Sequence, residues 1–129
     1  MNLFSLSSSL SGRVAVVGSR SFPSSSLVES FVRSLPVGVV VVSGGARGTD
    51  SFAAAAAVSV GLSLEVFEAD WRRFGRGAGA VRNRALVASG LSALVAFVSD
   101  PSSLSPGSRD VISRARAAGV PVFVFGPSI

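Results

Sequence analysis

Residues 43–50 (SGGARGTD) are the stretch most suited to chemistry. Ser43, Gly44, Gly45, Ala46, Arg47, Gly48, Thr49 and Asp50 put three glycines, two hydroxyls, a guanidinium and a carboxylate in eight consecutive positions. Glycines let a backbone adopt positive φ and bring N–H groups close to an anion. A following helix adds unpaired N–H groups and the positive end of its dipole. Arg47 adds a full charge. Thr49 can cap the helix, and Asp50 either complements the dipole or accepts from ribose hydroxyls. The stretch is neither GxGxxG nor a Walker A loop, since the GK[ST] ending is missing. Phosphate binding is preferred here over a purely structural turn.

Other loops add to this one. Gly18, Ser19 and Arg20 open a stretch where glycine permits close approach and the two side chains can donate to phosphate; a plain turn with a surface arginine explains them equally well. Residues 70–84 hold five of the twelve arginines (Arg72, Arg73, Arg76, Arg82, Arg84) and the only tryptophan, Trp71. Clustered guanidinium groups repel one another unless an anion compensates. From this stretch Trp71, Arg76, Gly79, Arg82 and Asn83 are taken as ligand contacts, and Arg72, Arg73 and Arg84 as solvated surface. Trp71 can stack on a base or lie under a loop, and Asn83 can read a ligand edge or cap a helix. Gly107 and Ser108 form a second small anion site at a helix start, with Ser108 as an ordinary N-cap the competing reading.

These loops need a scaffold that gathers them. Apolar runs of strand length recur at 13–17, 38–42, 62–67, 93–98 and 121–125. Four are nearly continuous in apolar residues, as in strands covered on both faces. Between them, Leu27, Val28, Phe31, Val32 and Leu35 share a helical face, with Ser26 and Glu29 as a capping box and Pro36 near its end. Helices are also expected over 49–60, 81–89 and 108–118, each followed or closed by glycine (Gly61, Gly90, Gly119). The βαβαβαβαβ order predicts a Rossmann-like α/β sandwich: a five-stranded, mostly parallel sheet with helices on both faces. In such sheets ligands bind at the carboxyl ends of the strands.

Composition bounds the function. The 129 residues make one domain, expected over 13–129 behind a poorly ordered Ser-rich tail at 1–12. Cys and His are both absent. That removes disulfides, thiolate or imidazole metal sites and Ser-His or Cys-His catalysis; no metal site is expected. The net charge is +5 and every cation is an arginine, a residue whose planar fork suits phosphate. No run is apolar enough to span a membrane and the start carries no signal peptide, so the expected compartment is the cytoplasm. A 48 % hydrophobic content in so short a chain points to a homodimer or higher homo-oligomer.

Taken in order, the motifs resemble the SLOG superfamily, the Rossmann-like fold shared by DprA/Smf proteins and LOG enzymes, and within it the small YspA-like members. The resemblance runs through Gly18-Ser19-Arg20, Gly44 to Asp50, Ala69-Asp70-Trp71, Gly75, Ala78-Gly79, Arg82-Asn83 and Gly107-Ser108. It ends with Ala115 and Ala118-Gly119-Val120-Pro121-Val122. It implies a bacterial or phage protein that binds a nucleoside monophosphate, an ADP-ribose or NAD-like compound, or a cyclic nucleotide. The leading expectation is a sensor or sequestering module that requires no cofactor. The alternative is a LOG-type nucleotide phosphoribohydrolase. LOG enzymes carry PGGxGTxxE, but here the Glu position falls on Val111 and Asp110 lies one residue early, about 100° around the helix. An enzyme would need Asp50 or Glu68 as its acid. Nucleic-acid binding of the DprA kind ranks third, because single-strand binders combine basic grooves with several exposed aromatics.

Overall fold

The computed structural model describes residues 2–127. Five strands form one sheet: β1 (Arg13–Gly18), β2 (Val40–Ser43), β3 (Ser63–Val66), β4 (Ala93–Phe97) and β5 (Val122–Phe125). Their order is β3-β2-β1-β4-β5 and every pairing is parallel. The chain winds outward one way from β1 and then returns to its other side. The switch point therefore lies between β1 and β4, where crevices open in sheets of this kind.

Helices cover both faces. α1 (Leu3–Ser9), α2 (Ser25–Arg33) and α3 (Thr49–Ser59) lie on one side, where Val14, Val16, Phe31, Val41 and Phe97 form the core. α5 (Ala78–Ala88) and α6 (Pro106–Ala117) lie on the other, over Ala15, Val42, Leu86, Leu94 and Ile112. A short α4 (Trp71–Phe74) and a 3₁₀ turn (Gly75–Gly77) precede α5. β4 is buried at every position because it has helices on both faces and strands on both edges. The edge strands β3 and β5 are more open.

Several expectations need correction. The serine-rich stretch is not a loose tail: α1 is capped by Asn2, whose side chain accepts from the Ser5 N–H at 2.8 Å, and it buries Leu3 and Leu6 in the core. Leu3, Leu6 and Leu10 recur at helical spacing, and the serines between them hid the pattern. Ser7, Ser8 and Ser9 return their hydroxyls to carbonyls three residues back, which satisfies them locally. The cap of α2 is Ser24, not Ser26, since Ser24 Oγ accepts from the Leu27 N–H. α5 starts at Ala78, three residues before the expected point. α6 starts at Pro106 under a Ser105 cap, which puts Ser108 inside the first turn. α4 lies outside the expected helices; its N-cap is Asp70, whose carboxylate accepts from the Arg73 N–H at 3.1 Å.

Candidate functional site

The carboxyl ends of β1, β2 and β4 meet with little space between them. A Cβ on Gly18 would overlap the Phe97 carbonyl, and one on Gly48 (φ +74°) would overlap the Ser19 and Arg20 carbonyls. Both positions therefore need glycine for the β1 loop to lie against β4 and the start of α3. Thr49 stands behind this junction, fully buried, with its hydroxyl directed to the carbonyls of Ser19 and Phe97 at 3.2 and 3.1 Å. Ser43 is buried too; its Oγ donates to the Asp50 carbonyl and accepts from the Gly45 N–H. These residues build the loop and do not face its outer surface.

Asp50 occupies the concave side of that loop. Its Oδ2 accepts from the Ala46 N–H at 3.3 Å, and the Gly18 and Gly44 amides lie close enough to favour its charge. Among the described residues Oδ1 is buried with no hydrogen-bond partner. Burial pushes the carboxyl up to about 6, against the pull of the Ala46 amide, the Arg82 charge and the two glycine amides. The amide nest expected to hold a ligand phosphate is therefore filled by the chain's own carboxylate. That is a correction to the reading of residues 43–50.

Arg82 approaches from α5. One terminal nitrogen donates to the Gly44 carbonyl, and Nε donates to Asn83 Oδ1 at 2.8 Å. Asn83 is buried and donates through Nδ2 to Asp110 Oδ2 at 2.9 Å. Asp110 also accepts from Arg114 Nε. Burial alone would raise the Asp110 carboxyl, but the hydrogen bonds from Arg114 and Asn83 outweigh it and hold the group below its ordinary value. Arg82, Asn83, Asp110 and Arg114 thus form one chain of contacts that fixes α5 against α6.

Three adjoining clefts open here, of about 80, 160 and 350 Å³, and Arg20 and Arg82 line all three. The first has Gly18, Gly44, Asp50, Asn83, Gly107, Ser108 and Val111 in its wall. The second adds Gly45, Glu68 and Trp71; the third adds Arg76, Gly79 and Asp110. Trp71 is 50 % exposed, with the Arg20 guanidinium 6.0 Å from its ring centre. A Cβ on Gly79 would stand 3.7 Å from the indole, in ordinary van der Waals contact with it. Among the described residues no cluster of acidic side chains is arranged to hold a metal ion.

Five residues expected at the ligand stand back from these clefts. Ser43, Gly48 and Thr49 lie behind the loop as described. Ser19 accepts from the Ser99 N–H at 2.9 Å and lines a separate serine-rich cleft with Ser21 and Ser99. Arg47 is exposed and lines none of the three. Conversely, Ala46 and Asp110 line the wall without being among the expected contacts. Val111 follows Ser108 by three residues on α6 and lies in the same wall. It is buried, and it presents an apolar surface where LOG enzymes carry Glu.

A five-stranded parallel sheet in this order, with its loops converging at the switch point, defines a Rossmann-like α/β domain. Residues 12–74 match the family model for YAcAr, the YspA, cpYpsA-related SLOG family. The chain is 36 % identical over 124 residues to the Gene 61 protein of Mycobacterium phage D29, covering 88 % of this chain and 96 % of that protein. The fold is similar to that of DNA processing protein A (DprA) from Streptococcus pneumoniae, with a TM-score of 0.74 and 23 % identity. That likeness covers 98 % of this chain and 53 % of the other, so the chain spans about half the length of DprA. The protein belongs to the SLOG superfamily, in its YspA-related branch. No helix among the described residues is long and apolar enough to cross a membrane.

Proposed function

We propose that the protein binds a phosphorylated, nucleotide-derived small molecule as a sensor or sequestering module. One observation carries this reading: three guanidinium groups (Arg20, Arg76, Arg82) and a half-exposed indole line connected clefts at the switch point of the sheet. Guanidinium forks suit phosphate, and an indole face suits a base. No single cleft is large, and all three share Arg20 and Arg82 in their walls. The ligand binds without a separate cofactor, and a homo-oligomer in the cytoplasm remains the working picture. Trp71 is the only tryptophan, so its fluorescence reports on the site directly. Titration with AMP, ADP-ribose, NAD and cyclic nucleotides should quench or shift it for at least one of them. No response to any would remove the proposal.

A second reading has one specific support. A buried Asp50 with its carboxyl pushed up to about 6 has the character of a general acid–base group near neutral pH. An N-glycosidic hydrolase on nucleotides would use it in place of the Glu that Val111 replaces. Release of free base from a nucleoside monophosphate, abolished in Asp50→Asn, would establish this activity. DNA binding ranks behind both, since Trp71 is the single aromatic in the cleft walls.

A further inference from the structure

β5 has the composition of an interior strand but stands at the edge of the sheet. Val122, Phe123, Val124 and Phe125 are continuously apolar, as in strands buried on both faces. β4, one place inward, is buried throughout, whereas every position of β5 is only half-buried. The opposite edge differs. β3 alternates polar and apolar residues and carries Glu65, a charge that discourages edge-to-edge pairing. No charge protects β5, and residues 117–127 contain none.

The main chain of β5 faces outward in a definite phase. The Pro121 and Phe125 carbonyls accept from the N–H groups of Leu94 and Val98, each at 2.9 Å. Alternation along the strand therefore turns the N–H and C=O groups of Val122 and Val124 to the open edge, a row that receives another extended strand. An identical edge run antiparallel is its complement. With a twofold axis at Phe123, Val122 of one copy lies opposite Val124 of the other, and each such pair exchanges two N–H···O bonds. The two Phe123 side chains then meet on the face that carries α2. Charge favours the same occupant. The chain carries +5, and copies meeting through α5 and α6 would set Arg84, Arg114 and Arg116 against their like; the uncharged β5 edge avoids this.

We infer that the β5 edge is a homodimer interface, in which two copies join β5 to β5 antiparallel and extend the sheet across the twofold axis. It supplies a surface for the homo-oligomer of the proposed picture. None of residues 120–126 lines the three clefts, so the interface stands apart from whatever they bind.

Sedimentation of the full chain tests this. The wild type should be a dimer at micromolar concentration. Val124→Pro removes an outward N–H and no bond to β4, a change that edge strands tolerate. That variant should keep its circular dichroism while its sedimenting mass falls by half. A wild type that stays monomeric overturns the inference, as does a Val124→Pro chain that folds and still dimerises. Should the variant fail to fold, amide exchange of the wild type decides. The Val122 and Val124 N–H groups should then exchange slowly, and exchange at the rate of water-exposed amides overturns the interface. An absent nucleotide response at Trp71 would remove the reading of the clefts and leave this one standing.

Discussion

Asp50 and Arg82 face each other across Gly44 without pairing, although each lies within contact distance of the place where a Gly44 side chain would stand. Burial favours the neutral acid at Asp50, against the pull of the Ala46 amide, the Arg82 guanidinium and the Gly18 and Gly44 amides. Both side chains line the smallest of the three clefts, beside Gly44.

Gly44→Ala should displace Asp50 or Arg82, since its Cβ would stand 2.6 Å from one and 2.8 Å from the other. Unlike Gly48, Gly44 is not in the left-handed region, so its backbone accepts alanine and the nearest conflict is with Asp50 and Arg82. Ligand response at Trp71 should be lost, while the melting temperature falls by only a few degrees. A variant that still binds at wild-type affinity would show that the ligand passes elsewhere.

Arg82→Ala should weaken ligand binding by about 1.5–3 kcal/mol, the scale of a charge-assisted contact. Arg47→Ala should leave it within about 0.5 kcal/mol, because Arg47 is exposed and outside the clefts. Calorimetry on the two variants side by side checks the pair, and the reverse order would contradict the site.

The pH dependence of stability has a definite sign at Asp50. Its carboxyl is raised from 3.8 to about 6, so the folded state holds the proton more tightly than the unfolded chain. The contribution is complete below the lower value and is lost as pH rises through about 6. Its full size is about 3 kcal/mol at 1.36 kcal/mol per pKa unit. Asp110 and Asp100 are lowered and act in the opposite sense at more acidic pH. Asp50→Asn should therefore gain stability relative to wild type as pH is raised from 5 to 8 in denaturant titrations. Parallel curves would show that Asp50 does not titrate as described.

Leu6→Ala should cost about 2–5 kcal/mol, because Leu6 is fully buried against the core and its loss leaves a cavity. Thermal unfolding reads the change directly. A shift within error would restore the view of residues 1–12 as a loose tail.

The fold was legible because four of its five strand runs are nearly continuous in apolar residues and three of its helices are followed by glycine. Those signals are local in sequence and survive without tertiary information. α1 was not legible, since serine composition masked three leucines at helical spacing. The site was legible as a set of loops but not as an arrangement. Arg47 and Asp50 sit in the same short stretch, and only the backbone path decides which turns inward. It turned Asp50 in, so the carboxylate took the amides assigned to phosphate. Val111 entered the wall through the helical phase of α6, which the shifted cap at Ser105 fixes.

Phe97 joins the interior to the site. Its ring meets Phe22 and Phe31 edge-on at 5.6 and 5.5 Å, and its carbonyl receives the Ser19 N–H and the Thr49 hydroxyl. One residue thus governs both cohesion of the domain and spacing of the two loops that border the clefts. The cleft has no melting point of its own: it should keep its shape up to the temperature at which the whole domain unfolds. A change at this anchor would therefore disturb the cleft and the fold together.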